Sequence, residues 1–385
     1  MSEDAVAAFA TELRPGMRVV VGDGAGSPTH LLPALGAAAR AVGGVSLVLG
    51  WCVSLPEDFD PTDFHEVRCL MGGFALRRLI ASGAAHYVPE RLTGVPALLH
   101  GPLRPDLALL ALRPGPSGWE WGSEVSWMRS LLDLPDVRLL VEEDEALPRA
   151  SREVPVPRSR GTVVARSRRA PDVVQPPAVH EIDRAIATRL APLVPAGASL
   201  QYGPGPVAQA LADALEVPVA IRSGMVTDAV LRLAERGLLA GTPTGAYLWG
   251  TRHLYDWADG RPVLDRVERT HAADALSGPL ITVNAALEVD ETGAVNVERS
   301  GDRLVSGIGG HHDFALAGHV SPGGLSVIAV PTSRRGRSTL VERLPGPTSS
   351  LRTDVDLVVT ELGVADLRGL DDTERRAALR AAWRA

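Results

Sequence analysis

One short grammar occurs twice in this chain, and it limits what the chain can fold into. Arg18-Val-Val-Val-Gly22 is a buried-type run that breaks into the glycine loop Gly22-Asp-Gly24-Ala-Gly26-Ser-Pro28, and a helical pattern follows from His30 to Arg40. Far downstream, Ala198-Ser-Leu-Gln-Tyr202 leads into Gly203-Pro204-Gly205 and then into the Ala/Leu-rich run from Val207 to Leu215. Strand, glycine loop and helix in that order open a doubly wound α/β unit, with the helix N-terminus facing whatever lies over the strand ends. The repetition predicts a duplicated α/β domain, with a site where the two halves face each other.

The rest of the chain continues the alternation. Val45–Leu49, Ala84–Val88, Leu107–Leu112 and Val137–Val141 read as strands of the first half; Leu325–Val330 and Asp354–Thr360 read as strands of the second. An amphipathic helix is predicted from His180, and another from Thr373 to Arg384. The first glycine loop is no dinucleotide fingerprint, because its third glycine is misplaced and no acid closes the next strand. From Leu147 to Pro177 the chain is rich in proline and arginine with little periodicity, which marks the domain boundary: residues 1–175 and 176–385.

Composition excludes several classes of function. At 385 residues and 45% hydrophobic the chain has material for two full cores, and no run of eighteen apolar residues predicts a membrane span. A net charge of −7 disfavours nucleic acid as the main partner. No lysine occurs, which removes P-loop, pyridoxal and Schiff-base chemistry. Cys52 and Cys69, in no CxxC, are read as core residues of a protein in a reducing cytoplasm, and the acidic N-terminus has no secretory pattern. Seven arginines between Arg149 and Arg169 are read as a solvated linker or hairpin, with an anion-binding patch as the sharper reading. The acidic run Glu142-Glu-Asp-Glu145 is read as a solvated loop.

Chemistry concentrates between Ile281 and Phe314, ITVNAALEVDETGAVNVERSGDRLVSGIGGHHDF. A hydrophobic strand runs into Asn284-Ala-Ala-Leu-Glu288, turns at Glu291-Thr-Gly293, returns, and reaches Gly307-Ile-Gly309-Gly310. Paired glycines let the backbone approach a bound group and aim amide N–H groups at developing negative charge. The neighbouring His311-His312-Asp313 is a poor metal cluster, since adjacent side chains diverge and no fourth ligand is evident.

These motifs, with the later segment from Leu351 to Gly369, resemble the acetyl-CoA hydrolase/CoA-transferase family, which includes 4-hydroxybutyrate and acetate CoA-transferases. The resemblance covers nearly the whole chain and is densest from about Ala198 to Leu370. It implies an enzyme of two similar open α/β domains with the site between them, acting on a small acyl-CoA and a carboxylate. Coenzyme A is then substrate, with no permanently bound cofactor, no metal, no nucleic acid and no membrane; a homo-oligomer is possible. Substrate contacts fall on Gly24, Gly203, Gly205, Asn284, His311, Asp313 and Phe314, and the oxyanion amides on Gly309 and Gly310.

The family's nucleophile is a glutamate in a motif like H-S-E-M-x-S-D-G, and this chain reads Ile221-Arg-Ser-Gly224-Met-Val-Thr-Asp228 there. Gly224 stands where the attacking carboxylate belongs. Pro204 stands where the glycine loop supplies an oxyanion amide, and proline has no N–H to give. Replacement carboxylates are Glu288, Asp228 and Asp313, with Glu288 preferred; the bland roles are holding loop amides for Glu288 and Asp313 and capping a helix for Asp228. The alternative is a catalytically silent CoA-binding paralogue or partner subunit. On this alignment Gly224→Glu is expected to raise transferase activity if the rest of the pocket is preserved.

Overall fold

The computed structural model describes residues 3–275 and 278–384. The chain forms two units: Met1–Glu90, Gly94–Val174 and Tyr247–Arg266 make one, and Arg91–Thr93, Gln175–Ala246 and Val267–Ala385 make the other. A single division near residue 175 therefore leaves two segments, Arg91–Thr93 and Tyr247–Arg266, that pack with the unit of the opposite half.

The first unit is built on a sheet whose strands run, side by side, His86–Tyr87, Glu66–Cys69, Ser46–Leu49, Arg18–Val21, Leu107–Gly115, Arg138–Asp144 and Gly161–Ser167. All of these neighbours pair in parallel. Parallel strands buried on both faces need apolar residues at consecutive positions, which Val19-Val-Val21, Leu47-Val-Leu49 and Leu107-Ala-Leu-Leu110 supply. The helix Glu3–Glu12 with the Leu13 that follows it, and the helix Leu32–Val42, add Phe9, Leu13, Leu32 and Leu35 to this core.

Two expectations for this unit are corrected. Gly161–Ser167, inside the stretch read as a linker, is the edge strand of the sheet. Glu142, Glu143 and Asp144 lie in the strand Arg138–Asp144 and are 1%, 7% and 2% exposed, so the acidic run is buried. The errors cancel each other electrostatically. Glu143 accepts from Trp119 Nε1 at 2.8 Å, from Arg166 Nε at 3.0 Å and from Arg158. Arg168 pairs with Glu145, and Arg149 makes a two-point pair with Asp259. Arginines from the segment read as a linker thus pair with Glu143 and Glu145 of the acidic run, and Arg166 and Arg168 keep most of their side chains exposed. Leu107–Gly115 also pairs antiparallel with Gly118–Glu120, and Trp119 and Trp121 are buried.

Both cysteines are buried free thiols. Burial pushes Cys69 up to about 12 and Cys52 higher still, which suits packing and not nucleophilic attack. The first glycine loop closes over carboxylates of its own unit. A Cβ on Gly24 would stand 2.7 Å from Glu124 Oε2, and one on Gly26 would stand 2.5 Å from Glu124 Oε1. Asp23, in the same loop, accepts from Trp127 Nε1 at 3.0 Å and from the Tyr247 hydroxyl at 3.2 Å.

The second unit repeats the plan with fewer strands: Ala220–Ile221, Ser199–Tyr202, Leu280–Ala285, Leu325–Ala329 and Leu357–Val359 in parallel, then Val364–Asp366 antiparallel at the edge. Its apolar core gathers Val289, Val295, Ile328, Val358 and Leu379. His180 and Asp183 form a capping box for the helix Glu181–Leu190, and Asp371 and Glu374 do the same for Asp372–Ala382. Among the described residues, no helix is long and apolar enough to cross a membrane.

Desolvation raises Asp23 to about 7 and Glu124 to about 8, so the folded state holds protons that the unfolded chain has lost by about pH 4–5. Stability is therefore expected to fall as pH rises from about 5 to 8. Each pKa unit is worth about 1.4 kcal/mol. The double variant Asp23→Asn, Glu124→Gln should melt at a temperature less dependent on pH across that window; an unchanged slope in thermal denaturation would rule the carboxyls out as its source.

Candidate active site

In the second unit the chain leaves Ser199–Tyr202 toward Ala220–Ile221 on one side, then returns on the other side as Leu280–Ala285. Neighbouring parallel strands whose connections part in opposite directions leave a crevice at their carboxyl ends, the usual ligand position of such sheets. Three strands end on this edge, and each hands over to a segment singled out in the sequence. Tyr202 leads to Gly203-Pro204-Gly205, Ile221 to Arg222-Ser223-Gly224, and Ala285 to Glu288. The helix His311–Val320 connects two parallel strands and so starts on the same edge, with Gly310 as its N-cap.

Side chains hold the edge in register. Gln201 Nε2 donates to Asn284 Oδ1 at 3.0 Å and Asn284 Nδ2 returns a bond to Gln201 Oε1 at 3.1 Å, both residues buried. This reciprocal amide pair fastens the ends of two adjacent strands, and Gly203 N donates to Val283 O at 2.8 Å beside it. Ser223 Oγ donates to Tyr202 O at 3.0 Å and Ser223 N to Thr244 O at 2.9 Å, which fixes the loop that carries Gly224.

The space beside Gly224 is filled. A Cβ built there would stand 2.8 Å from His271 Nε2 and 3.3 Å from Phe314, and one on Gly310 would stand 2.6 Å from the same nitrogen. His271 is 2% exposed, and its Nδ1 lies 2.8 Å from Thr270 Oγ1. Its ring sits 4.6 Å from that of Phe314, tilted by 46°. Burial lowers its pKa to about 3, so the imidazole is neutral at working pH. Placing a carboxylate at 224 is therefore no simple addition to an open pocket, because an imidazole occupies the way in.

The remaining candidates separate. Gly224, Gly310 and Phe314 meet around His271, and Gly203 meets Asn284. Gly309, at φ +55°, makes the turn before the helix, and its carbonyl accepts from Leu92 N at 2.9 Å. Asp313 is buried and takes Thr93 N at 3.1 Å and Thr93 Oγ1 at 2.5 Å, anchoring Arg91–Thr93. His311 Nδ1 is 2.8 Å from Ser350 Oγ, so His311 and Asp313 turn to different partners. Glu288 accepts from Asn296 Nδ2 at 3.0 Å across the hairpin Glu288–Asn296. Thr227, and not Asp228, caps the helix Asp228–Glu235, its hydroxyl accepting from Ala229 N. Gly24 belongs to the first unit, where it faces Glu124.

One feature went unread in the sequence. His271 carries no motif; only its place after a short helix, Val267–Thr270, brings it between two glycines. The stretch Pro331-Thr-Ser-Arg-Arg-Gly-Arg-Ser-Thr339 reads in sequence as a polar, basic surface turn, with contact to CoA phosphates as the sharper reading; it forms the hairpin Ser333–Ser338 beside the same edge, since Arg334 donates to Ala286 O at 3.1 Å. Its Arg335 and Arg337 are exposed and make no ion pair among the described residues.

Comparison with known proteins agrees with this architecture. Residues 250–381 match the family model for the acetyl-CoA hydrolase/transferase C-terminal domain. The chain is 28% identical to the 4-hydroxybutyrate coenzyme A transferase of Clostridium kluyveri over 335 residues, which is 80% of this chain and 77% of the relative. It is 25% identical to the butyryl-CoA:acetate CoA-transferase of Anaerostipes caccae over 362 residues, 86% of this chain and 81% of that one. Its fold is that of RipA from Yersinia pestis, with a TM-score of 0.85 at 23% identity over 99% of this chain and 93% of that one. Motifs and these similarities converge on one family: residues 250–381 match the acetyl-CoA hydrolase/transferase C-terminal domain, and over most of its length the chain is similar to CoA-transferases.

Proposed function

We propose that this protein acts on a small acyl-CoA thioester, and that hydrolysis is its reaction in preference to transfer to a second carboxylate. The observation that carries this reading is the ring of Gly224, His271, Gly310 and Phe314 at the carboxyl edge of a family fold, with no carboxylate at position 224. Transfer by the family's route needs an attacking acid that becomes a CoA thioester; hydrolysis needs only water, a proton acceptor and stabilisation of the oxyanion. The N-terminus of the helix His311–Val320, with the Gly309–Gly310 amides, is the proposed source of that stabilisation. No permanently bound cofactor is required. The cytoplasm, where acyl-CoA is made and used, is the proposed compartment.

A second reading has its own observation. Pro204 offers no N–H in the glycine loop, and one lost oxyanion donor costs about 10²–10³ in rate. A silent CoA-binding paralogue follows if that loss adds to the missing acid. The two part in one assay: purified protein with a panel of short acyl-CoAs, free thiol followed over time, and CoA-dependent melting temperature measured alongside. Hydrolysis predicts steady thiol release without acyl exchange onto added carboxylates. Stabilisation by CoA without thiol release would identify the silent binder.

The arginine hairpin supplies a further expectation. A guanidinium pairs with phosphate through two parallel bonds, and no acid among the described residues pairs with Arg335 or Arg337. Arg335→Ala, Arg337→Ala is expected to raise KM for acyl-CoA several-fold while leaving KM for the matching acyl-pantetheine unchanged. Equal effects on both substrates would show that the hairpin does not meet the nucleotide.

A further inference from the structure

His271 lies where the sequence leaves a gap, and its surroundings are shaped for it. Two glycines from separate segments, Gly224 and Gly310, both approach the same nitrogen, Nε2, so closely that a methyl group on either would collide with it. The other ring nitrogen is committed to Thr270 Oγ1 at 2.8 Å, and the face of the ring rests on Phe314. With Nδ1 engaged and the ring clamped, Nε2 is the atom presented between the position of the family's acid and the start of the helix His311–Val320.

Resting on the acyl-CoA reading above, we propose that His271 is the general base of the reaction, standing in through space for the glutamate that position 224 lacks. In the tautomer this requires, Nδ1–H donates to Thr270 Oγ1 and Nε2 carries a free lone pair. Nε2 takes a proton from a water molecule as the water oxygen bonds to the thioester carbon. The carbonyl electron pair moves to oxygen and is held by the amides at the helix start. When it returns, the carbon–sulfur bond breaks, and the departing thiolate takes the proton back from Nε2. Thioester and water become carboxylic acid and free CoA, and the imidazole ends as it began. No acyl or CoA group becomes attached to the protein.

Such a base is well matched to a site without a carboxylate. The helix N-terminus and the apolar surroundings disfavour a resident positive charge, so the ring stays uncharged between turnovers, and the imidazolium formed in the reaction is offset by the negative charge developing on the thioester oxygen. Thr270 is a positioning residue: it selects the tautomer without touching the substrate.

The test is chemical rescue. His271→Ala leaves an imidazole-sized space bounded by Gly224, Gly310 and Phe314. Thiol release from acyl-CoA should fall about 10²–10⁴-fold, the usual contribution of a positioned base. Added imidazole should restore part of it in a saturable way, while CoA still raises the melting temperature. His271→Gln, which keeps polar bulk but no basic nitrogen, should be equally slow and not rescued, and Thr270→Val should lower kcat with little change in KM. Gly224→Glu alone should lower hydrolysis and give no borohydride-trapped enzyme–CoA thioester. Wild-type rates in either folded His271 variant, or loss without rescue in a folded His271→Ala that still binds CoA, would overturn the assignment. A wild-type protein that binds CoA without releasing thiol would overturn it too, leaving the CoA-binding reading intact; absence of CoA binding would remove both.

Discussion

The parting of the chain at the ends of Ser199–Tyr202 and Leu280–Ala285 is the constraint on which the candidate site depends. Two adjacent parallel strands whose connections leave in opposite directions cannot both be covered at their carboxyl ends by the same crossover. The crevice that results is rimmed by whatever follows each strand. Here that is a glycine loop, a serine–glycine loop, an alanine pair and, because crossover helices run antiparallel to their strands, a helix N-terminus. The Gln201–Asn284 amide pair holds this rim together at the point where the strand ends would otherwise splay. A buried amide pair satisfied on both sides adds rigidity, whereas either partner alone would be left with unmet hydrogen bonds.

Charge in this protein is arranged by the fold far more than by local composition. Each buried acid of Glu142 to Asp144 has its own partner: Glu142 meets His30, Asp144 accepts from Ala146 N and Ala170 N, and the parallel register of Arg138–Asp144 with Gly161–Ser167 sets Arg166 opposite Glu143, with Arg158 close by. Buried carboxylates without such partners take a different course. Asp23 and Glu124, which have neutral donors for neighbours, are driven toward the protonated form by desolvation. One unit thus contains both solutions to the cost of an acid in an apolar interior.

Glycine carries much of the specificity at the rim, for reasons of space. Gly224 and Gly310 are needed because an imidazole comes within van der Waals reach of both; Gly24 and Gly26 are needed because Glu124 does the same in the first unit. A glycine that looks like a lost side chain and a glycine that looks like a ligand cradle can have the same cause, a neighbour that arrives from elsewhere in the chain. The absence of a side chain at 224 and the presence of a ring beside it are one geometric fact.

Periodicity and turn chemistry in the sequence determined the duplicated strand–loop–helix plan, most strands and the C-terminal helix, because each of these depends on residues within a few positions of one another. That Gly203, Gly224 and Gly310 lie along the carboxyl edge of one sheet was decided by the strand order. The linker that became an edge strand, the acidic run that became core and the cap that moved from Asp228 to Thr227 were decided by partners that local pattern does not show. His271 is the clearest case. Nothing near it in the chain marks it, and only tertiary structure, by bringing Gly224 and Gly310 from far apart onto one nitrogen, gives it a place.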